Sequence, residues 1–191
     1  MIFSLKKEHT AAIAAIHQES LATDFLSSLG FGFLKTVYDN VVEKPGIYGF
    51  VSIDKNNVQG FVMGAKNTNL FFKRAMSANL PKLFFYIFWA IIKNPRLIKN
   101  VFETILYPTK SDGSSAELVV IAVDTSFRKK GVGKALIQRL EKRFIDEGIR
   151  KYKLTVHADK MAIYFYEKLA YDRKSAFSLY NKRWYVYEKK I

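Results

Sequence analysis

Val-Asp-Thr-Ser-Phe-Arg-Lys-Lys-Gly-Val-Gly-Lys-Ala, residues 123–135, is the stretch on which the fold turns. An apolar run, Leu118 to Val123, leads into it, and such a run suits a strand buried on both faces. A helical pattern leaves it: Val132, Ala135, Leu136, Leu140 and Phe144 predict a helix over 131–147, ended by Gly148. The turn between the two is basic. The first amides of a helix lack carbonyl partners, and the helix dipole adds partial positive charge there. Gly131 and Gly133 leave the backbone free to close on a phosphate, and Arg128, Lys129 and Lys130 add charge at the mouth. The stretch therefore reads as an anion site. It is not a Walker A loop, because no Gly-x-x-x-x-Gly-Lys-Ser/Thr is present. The Gly-x-Gly-x-x-Gly dinucleotide pattern is also missing, since position 136 is Leu.

Downstream, Tyr152 to His157 predicts a strand and Asp159 to Leu169 a helix with Asp159 as its N-cap. Ala176 to Tyr180 and Trp184 to Glu188 predict a closing hairpin around Asn181-Lys182. Upstream, Ile2 to Leu5 reads as a strand and Glu8 to Leu29 as one helix, broken at Gly30. Phe33, Leu34, Val37, Tyr38, Val41 and Val42 recur as on a second helix, stopped by Pro45-Gly46. Ile47 to Ile53 and Val58 to Ala65 form a hairpin about the turn formers Asp54 to Asn57. Residues 66–115 are an insertion with helical stretches at Leu70 to Met76, Leu80 to Ile92 and Leu97 to Leu106. Pro95 interrupts it, and Pro108 and Ser111 to Ser115 close it. The expected class is α+β, or mixed α/β. A central mixed sheet of about seven strands is flanked by helices, with the insertion between strands three and four, in a single domain spanning 1–191.

Arg128-x-x-Gly131-x-Gly133 resembles the Arg/Gln-x-x-Gly-x-Gly/Ala signature of the GNAT superfamily of acyl-CoA N-acyltransferases, which there binds the pyrophosphate of acetyl-CoA. Leu154-Thr155-Val156-His157 and Ala162 to Tyr171, with Phe165-Tyr166-Glu167-Lys168-Leu169, resemble the family's second block. Ala116 to Val123 resembles its fourth strand. The resemblance covers residues 116–171 well and the remainder by element order. Two positions depart from it: the family's Asn is Asp159, and its Gly-Phe is Ala170-Tyr171. Several assignments follow from the resemblance. Acetyl-CoA is the cosubstrate and a primary amine the acceptor, joined directly in a ternary complex. Arg128, Lys129, Lys130, Gly131, Val132, Gly133 and Lys134 hold the pyrophosphate. Strands four and five splay, and the pantetheine arm pairs with main-chain groups of Ile121, Ala122 and Val123. Asp159 and Tyr166 border the cofactor. Tyr166 protonates the leaving thiolate, for which a phenol is a suitable donor. Glu117 is the general base, direct or through water, because a carboxylate beside an apolar strand has raised proton affinity. Simple alternation places Glu117, Val119, Ile121 and Val123 on one face.

The chain holds 31 Lys and Arg against 17 Asp and Glu, a formal charge of +14. This favours anionic partners or merely solvates the surface. Cysteine is absent, so no disulfide, thiolate nucleophile or cysteine zinc site exists, and the three histidines lack metal-ligand spacing. No metal is expected. The N-terminus lacks the pattern of a signal peptide, and a cytoplasmic location is the expectation. The greasiest run, Leu83 to Ile92, is far short of the ~20 residues of a spanning helix. The aromatic insertion leaves three readings open: a cap over an amphipathic acceptor, a peripheral membrane contact through 80–93, or helices packed on the domain or in a homodimer. Residues 20–43 and 66–115 are the expected acceptor side. The competing functional class is a non-catalytic acyl-CoA sensor, or a basic adaptor for nucleic acid or anionic membrane. The compact CoA motif and Tyr166 argue against nucleic acid.

Overall fold

The computed structural model describes residues 1–55, 57–110, 115–158 and 162–191. In chain order the elements are β1 (Ile2–Ser4), α1 (Thr10–Ser20), α2 (Phe25–Ser28), α3 (Phe31–Val41), β2 (Ile47–Asp54), β3 (Asn57–Ala65), α4 (Thr68–Ala75), α5 (Leu80–Lys93), α6 (Leu97–Lys110), β4 (Glu117–Val123), α7 (Val132–Asp146), β5 (Lys151–His157), α8 (Ala162–Lys168), β6 (Asp172–Leu179) and β7 (Lys182–Lys190). The strands form one mixed seven-stranded sheet in the order β1-β2-β3-β4-β5-β7-β6, with the helical insertion between β3 and β4. Every pairing is antiparallel except β4 with β5.

The sheet is covered on both faces. On one, Ile13 and Ala14 of α1 and Leu34, Tyr38 and Val41 of α3 pack on Val51, Phe61 and Met63. On the other, Leu136, Leu140 and Phe144 of α7 pack on Phe50, Val62 and Leu118. The α7 contact requires glycine at position 64: a Cβ there would lie 2.7 Å from the Phe144 ring and 2.9 Å from Leu140. A third cluster joins α2, α3, α5 and α6 through Phe25, Leu29, Phe33, Leu83, Ala90 and Leu97.

Three local expectations are corrected. The single helix over 8–29 is two, α1 and α2, because Asp24 takes an extended conformation (ψ 150°) and Ser27 Oγ donates to the Leu21 carbonyl at 2.8 Å, holding a turn between them. Helix α6 runs on past Pro108 to Lys110. The last hairpin turns at Tyr180-Asn181, one residue earlier than read, with both residues at positive φ (54° and 57°), as a tight two-residue turn requires. Residues 111–114 and Asp159, read from sequence as loop and helix cap, lie outside the described residues.

The face under α1 contains a buried histidine. His17 is 4% exposed and its Nδ1 lies 2.5 Å from the Tyr38 hydroxyl. Burial lowers its pKa from 6.5 to about 4. The unfolded chain therefore binds a proton that the folded chain refuses between those values. Stability from this group is complete above pH 6.5 and is lost as pH falls toward 4, on the order of 3 kcal/mol. Urea unfolding of His17→Gln across that window should show a correspondingly flatter dependence of stability on pH. An unchanged slope would reject the assignment.

Candidate active site

Strand β4 carries a bulge. Val120 lies opposite Met63 and Leu118 opposite Gly64, so Val119 is an extra residue without a partner. A bulge bends its strand, and on its other edge β4 keeps a single paired residue with β5, Glu117 with Lys153. Beyond that pair the two parallel strands part. The bulge also overturns strict alternation. Glu117 is paired with Ala65 on the α1–α3 face, whereas Ile121 is paired with Val62 on the α7 face.

Along the parted edge, backbone groups alternate. The Asp124 amide donates to the Gln59 carbonyl at 2.9 Å, which fixes the phase of the ladder. By that phase the groups of Ala122 face Phe61 of β3, and those of Ile121 and Val123 face the gap. The Val123 carbonyl is occupied there, accepting from Ser20 Oγ at 3.1 Å and Arg128 Nε at 3.1 Å. Arg128 also donates to the Ser20 carbonyl at 3.3 Å. Its guanidinium thus ties the ends of β4 and α1 together.

The chain then turns through Lys129 (φ 59°) and Gly131 (φ 82°) into α7. Nothing lies within 4 Å of a Cβ built at Gly131, so backbone conformation, not space, selects glycine. The first helical bond runs from the Ala135 amide to the Gly131 carbonyl at 3.0 Å. The amides of Val132, Gly133 and Lys134 therefore precede the helical ladder, and no side chain caps them. Lys129, Lys130 and Lys134 are exposed around them. Phe165 of α8 covers Gly133, 3.3 Å from where its Cβ would stand. The next residue, Tyr166, is 7% exposed and packs in the α7-side core with its ring 5.5 Å from that of Tyr171. Burial holds its hydroxyl well above the ordinary tyrosine pKa. The hydrogen bonds among the described residues include none to that hydroxyl.

At the fork of the two strands is a buried polar network. Glu117 is 2% exposed. Its Oε1 accepts from the Tyr107 hydroxyl of α6 at 2.5 Å, and its Oε2 accepts from Thr68 of α4 and lies 3.7 Å from Lys153 Nζ. The Tyr107 hydroxyl is also 2.7 Å from Thr155 Oγ1 of β5. Desolvation by burial raises the Glu117 pKa, while Lys153 and the three hydrogen bonds pull it back down. Sequence reading missed Thr68, Tyr107 and Lys153. The available signal was Lys153, a charge between Tyr152 and Leu154 on a strand otherwise read as core.

At the other end of the gap a cleft of about 210 Å³ opens. Its walls include Asp24 and Phe25, Leu97 and Asn100 of α6, His157 at the end of β5, and Tyr180 and Trp184 of the last hairpin. It adjoins the C-terminal end of the split, since His157 ends β5 and the segment after Ser20 is held to Val123. The insertion closes one side of it: Thr104 Oγ1 meets the Tyr180 hydroxyl at 2.7 Å, and Lys99 donates to Asn181 at 2.7 Å.

A mixed sheet split between parallel strands, with a glycine-led helix N-terminus at the open end, is the architecture of coenzyme-A-dependent N-acetyltransferases. A model of the acetyltransferase (GNAT) family matches residues 16–171, and the chain belongs to that family. An acetyltransferase of Sodalis glossinidius is 37% identical over 73 residues, 38% of this chain. The matched part spans about half of that relative, 51% of its length. Among solved structures, a ribosomal-protein-alanine N-acetyltransferase of Brucella melitensis aligns over 100% of this chain and 99% of its own at TM-score 0.66 and 11% identity. The PaiA N-acetyltransferase of Thermoplasma acidophilum, solved with coenzyme A, aligns over 100% and 98% at TM-score 0.64 and 15% identity. At such identities the likeness is one of fold.

The Glu117–Lys153 pair has a measurable signature. Removing one partner of a buried pair strands the other, at a cost of about 3–5 kcal/mol. Glu117→Gln should lose that much stability in urea unfolding, and Glu117→Gln with Lys153→Met should regain most of it. Equal losses in the single and double variants would mean that the pair is not coupled.

Proposed function

We propose that the protein transfers the acetyl group of acetyl-CoA to a primary amine by direct attack within a ternary complex. The observation that carries this reading is the open edge of β4 running into the uncapped amides of α7. The pyrophosphate sits on the amides of Val132, Gly133 and Lys134, with Lys129, Lys130 and Lys134 supplying charge. Arg128 acts at one remove, by fixing the end of β4. The pantetheine arm lies in the gap and pairs with Ile121 and with the Val123 amide, the Val123 carbonyl being taken by Ser20 and Arg128. A gap-facing β4 amide polarises the thioester carbonyl. Asp159 remains in this proposal as a neighbour of the cofactor.

The acceptor enters by the cleft lined by Asp24, His157, Tyr180, Lys182 and Trp184. There the Asp24 carboxylate and the ring faces offer contacts to an amine of an amino sugar, peptide or small molecule, and Lys182 favours its uncharged form. Its ammonium gives up one proton to Glu117, relayed by the Tyr107 hydroxyl or by water. The free amine attacks the thioester carbon, the C–N bond forms and the C–S bond breaks. Tyr166 donates its proton to the departing thiolate. The second proton lost by the nitrogen as the amide forms restores the Tyr166 phenol directly or through water, and the proton on Glu117 passes to solvent. Burial supports the base role, since it raises the proton affinity of Glu117, and it keeps Tyr166 protonated until the thiolate departs while making it a weaker donor. A second reading of Glu117 is favoured by its full set of partners: it serves only to fasten α4 and α6 to the sheet.

CoA release can be followed with a thiol-reactive dye, since the protein has no cysteine to contribute background. Amino sugars, peptides and polyamines form the acceptor panel. Tyr166→Phe should lower kcat by about 10²-fold or more with KM for acetyl-CoA little changed. With Glu117 as base, the rate rises with pH as that carboxyl ionises, at a pKa above its ordinary 4.5, and Tyr107→Phe lowers kcat along this limb. With Glu117 as a fastener alone, the limb is absent and Tyr107→Phe leaves the pH profile of kcat unchanged, whereas the stability loss of Glu117→Gln is expected on either reading. Acetyl-CoA binding with no release for any amine would turn the assignment to an acyl-CoA sensor. No binding at all would overturn the reading of the Arg128–Gly133 loop.

A further inference from the structure

Helix α5 is apolar on both sides. Leu83 and Ala90 are buried, with Tyr86, Ile87 and Ile91 packed beside them in the cluster that holds α5 to α3. The opposite side is bare: Phe84 is 59% exposed, Phe85 60%, Phe88 62%, Trp89 51% and Ile92 52%. At a helical turn of 3.6 residues these five fall within an arc of about 140°, and Lys82 and Lys93 stand at one border of it. The neighbouring α6 repeats the arrangement. Ile98, Phe102, Ile105 and Leu106 are each at least half exposed, within an arc of about 100°, and Lys99 borders them. Nine large apolar side chains in water on two adjacent helices exceed what an isolated domain surface normally shows.

Charge narrows the choice of partner. Residues 66–115 hold eight Lys and Arg against two acids, Glu103 and Asp112. Glu103 is already engaged, beside Lys99 and accepting from the Tyr180 amide. The apolar faces are thus bordered by cations, with no acid on α5. A second copy would bring the same cations against these. An anionic bilayer surface offers acyl chains to the rings and headgroup phosphates to the lysines. Spanning is not available to this insertion. Fourteen residues of α5 reach about 21 Å, short of a hydrocarbon core of about 30 Å. No single helix among the described residues is long and apolar enough to cross. The pair α4–α5, which together have the length, is bent by 92°. Helix α4 is moreover held in the core by Phe71, Ala75 and the Thr68 bond to Glu117.

We propose that the outer faces of α5 and α6 seat the protein on an anionic lipid surface, with the rings at the acyl boundary and Lys82, Lys93 and Lys99 at the headgroups. Leu97 and Asn100, on the opposite side of α6 from the docking face, line the cleft, so docking leaves the cleft open behind the seated helix.

The test is sedimentation of the full chain with vesicles of phosphatidylcholine alone and of phosphatidylcholine mixed with phosphatidylglycerol. The protein should bind the mixed vesicles and bind neutral ones far more weakly. Brominated lipid should quench Trp89, one of two tryptophans, and Trp89→Phe should remove that quenching. Phe84→Ser with Phe88→Ser, both at exposed positions, should lower vesicle affinity about tenfold or more while leaving thermal unfolding unchanged. Lys82→Gln and Lys93→Gln should each cost about fivefold on mixed vesicles. Absence of binding to either vesicle overturns the proposal. So does binding that survives the Phe variants, which would reduce it to the general positive charge. A dimer that those variants dissociate, in a protein that ignores vesicles, would assign the faces to a second copy.

Discussion

A strand has two edges, and β4 is paired along both only at its first residue. The cause is local. Val119 is one residue too many for the ladder with β3, and the chain takes up the excess by bending. Bending directs β4 away from β5 after the Glu117–Lys153 pair. The backbone groups that a continued ladder would have consumed are left facing a gap, and unpaired strand edges invite an extended partner. The open end of the gap meets the α7 N-terminus, whose amides are likewise uncommitted. One inserted residue therefore sets a row of main-chain hydrogen-bonding groups beside a site of positive potential.

The fork of the gap needs reinforcement, because there the sheet has fewest bonds across it. Reinforcement comes as buried polar chemistry: Glu117 from β4, Lys153 and Thr155 from β5, Thr68 from α4 and Tyr107 from α6. Burying such groups is costly unless each is matched, and here the carboxylate has a cation and two hydroxyls. Two of these side chains belong to the insertion. Helices α4 and α6 of the insertion are thus bonded to the point where the sheet divides, and the insertion is an integral wall of the candidate site.

The α7 loop was legible from sequence because its chemistry is local: an apolar run, a basic turn, two glycines and a helix within 30 residues. The seven strands and their helices were legible for the same reason. The bulge was not, since Val119 is an ordinary strand residue and its excess exists only relative to Gly64 and Met63 of another strand. That is why alternation placed Glu117 with Ile121 on one face, when the two are on opposite faces. The Glu117 network was hidden for a related reason. Its members are distant in sequence, from Thr68 to Thr155, and only Lys153 stood out by being charged within a core strand. For helix α5 the sequence left packing, a cap and a membrane contact open, because the helix is apolar all round; the structure buries one side of it and leaves the other bare.

The split also bears on how proton transfer would be arranged in the proposed reaction. The amine must lose a proton and the thiolate must gain one, and the two transfers occur on different sides of the same carbonyl carbon. In an intact sheet, residues on opposite faces are separated by the backbone layer. Here Glu117 belongs to the α1–α3 face and Tyr166 to the core on the α7 face. A thioester lying in the gap would be open to both faces at once, so base and acid need not share a pocket. This separation has an electrostatic consequence. A carboxylate close to the tyrosine would disfavour the negative charge that develops on the phenol as its proton leaves. Keeping the two apart spares the phenol that further penalty beyond the one its own burial imposes, while burial still raises the proton affinity of Glu117.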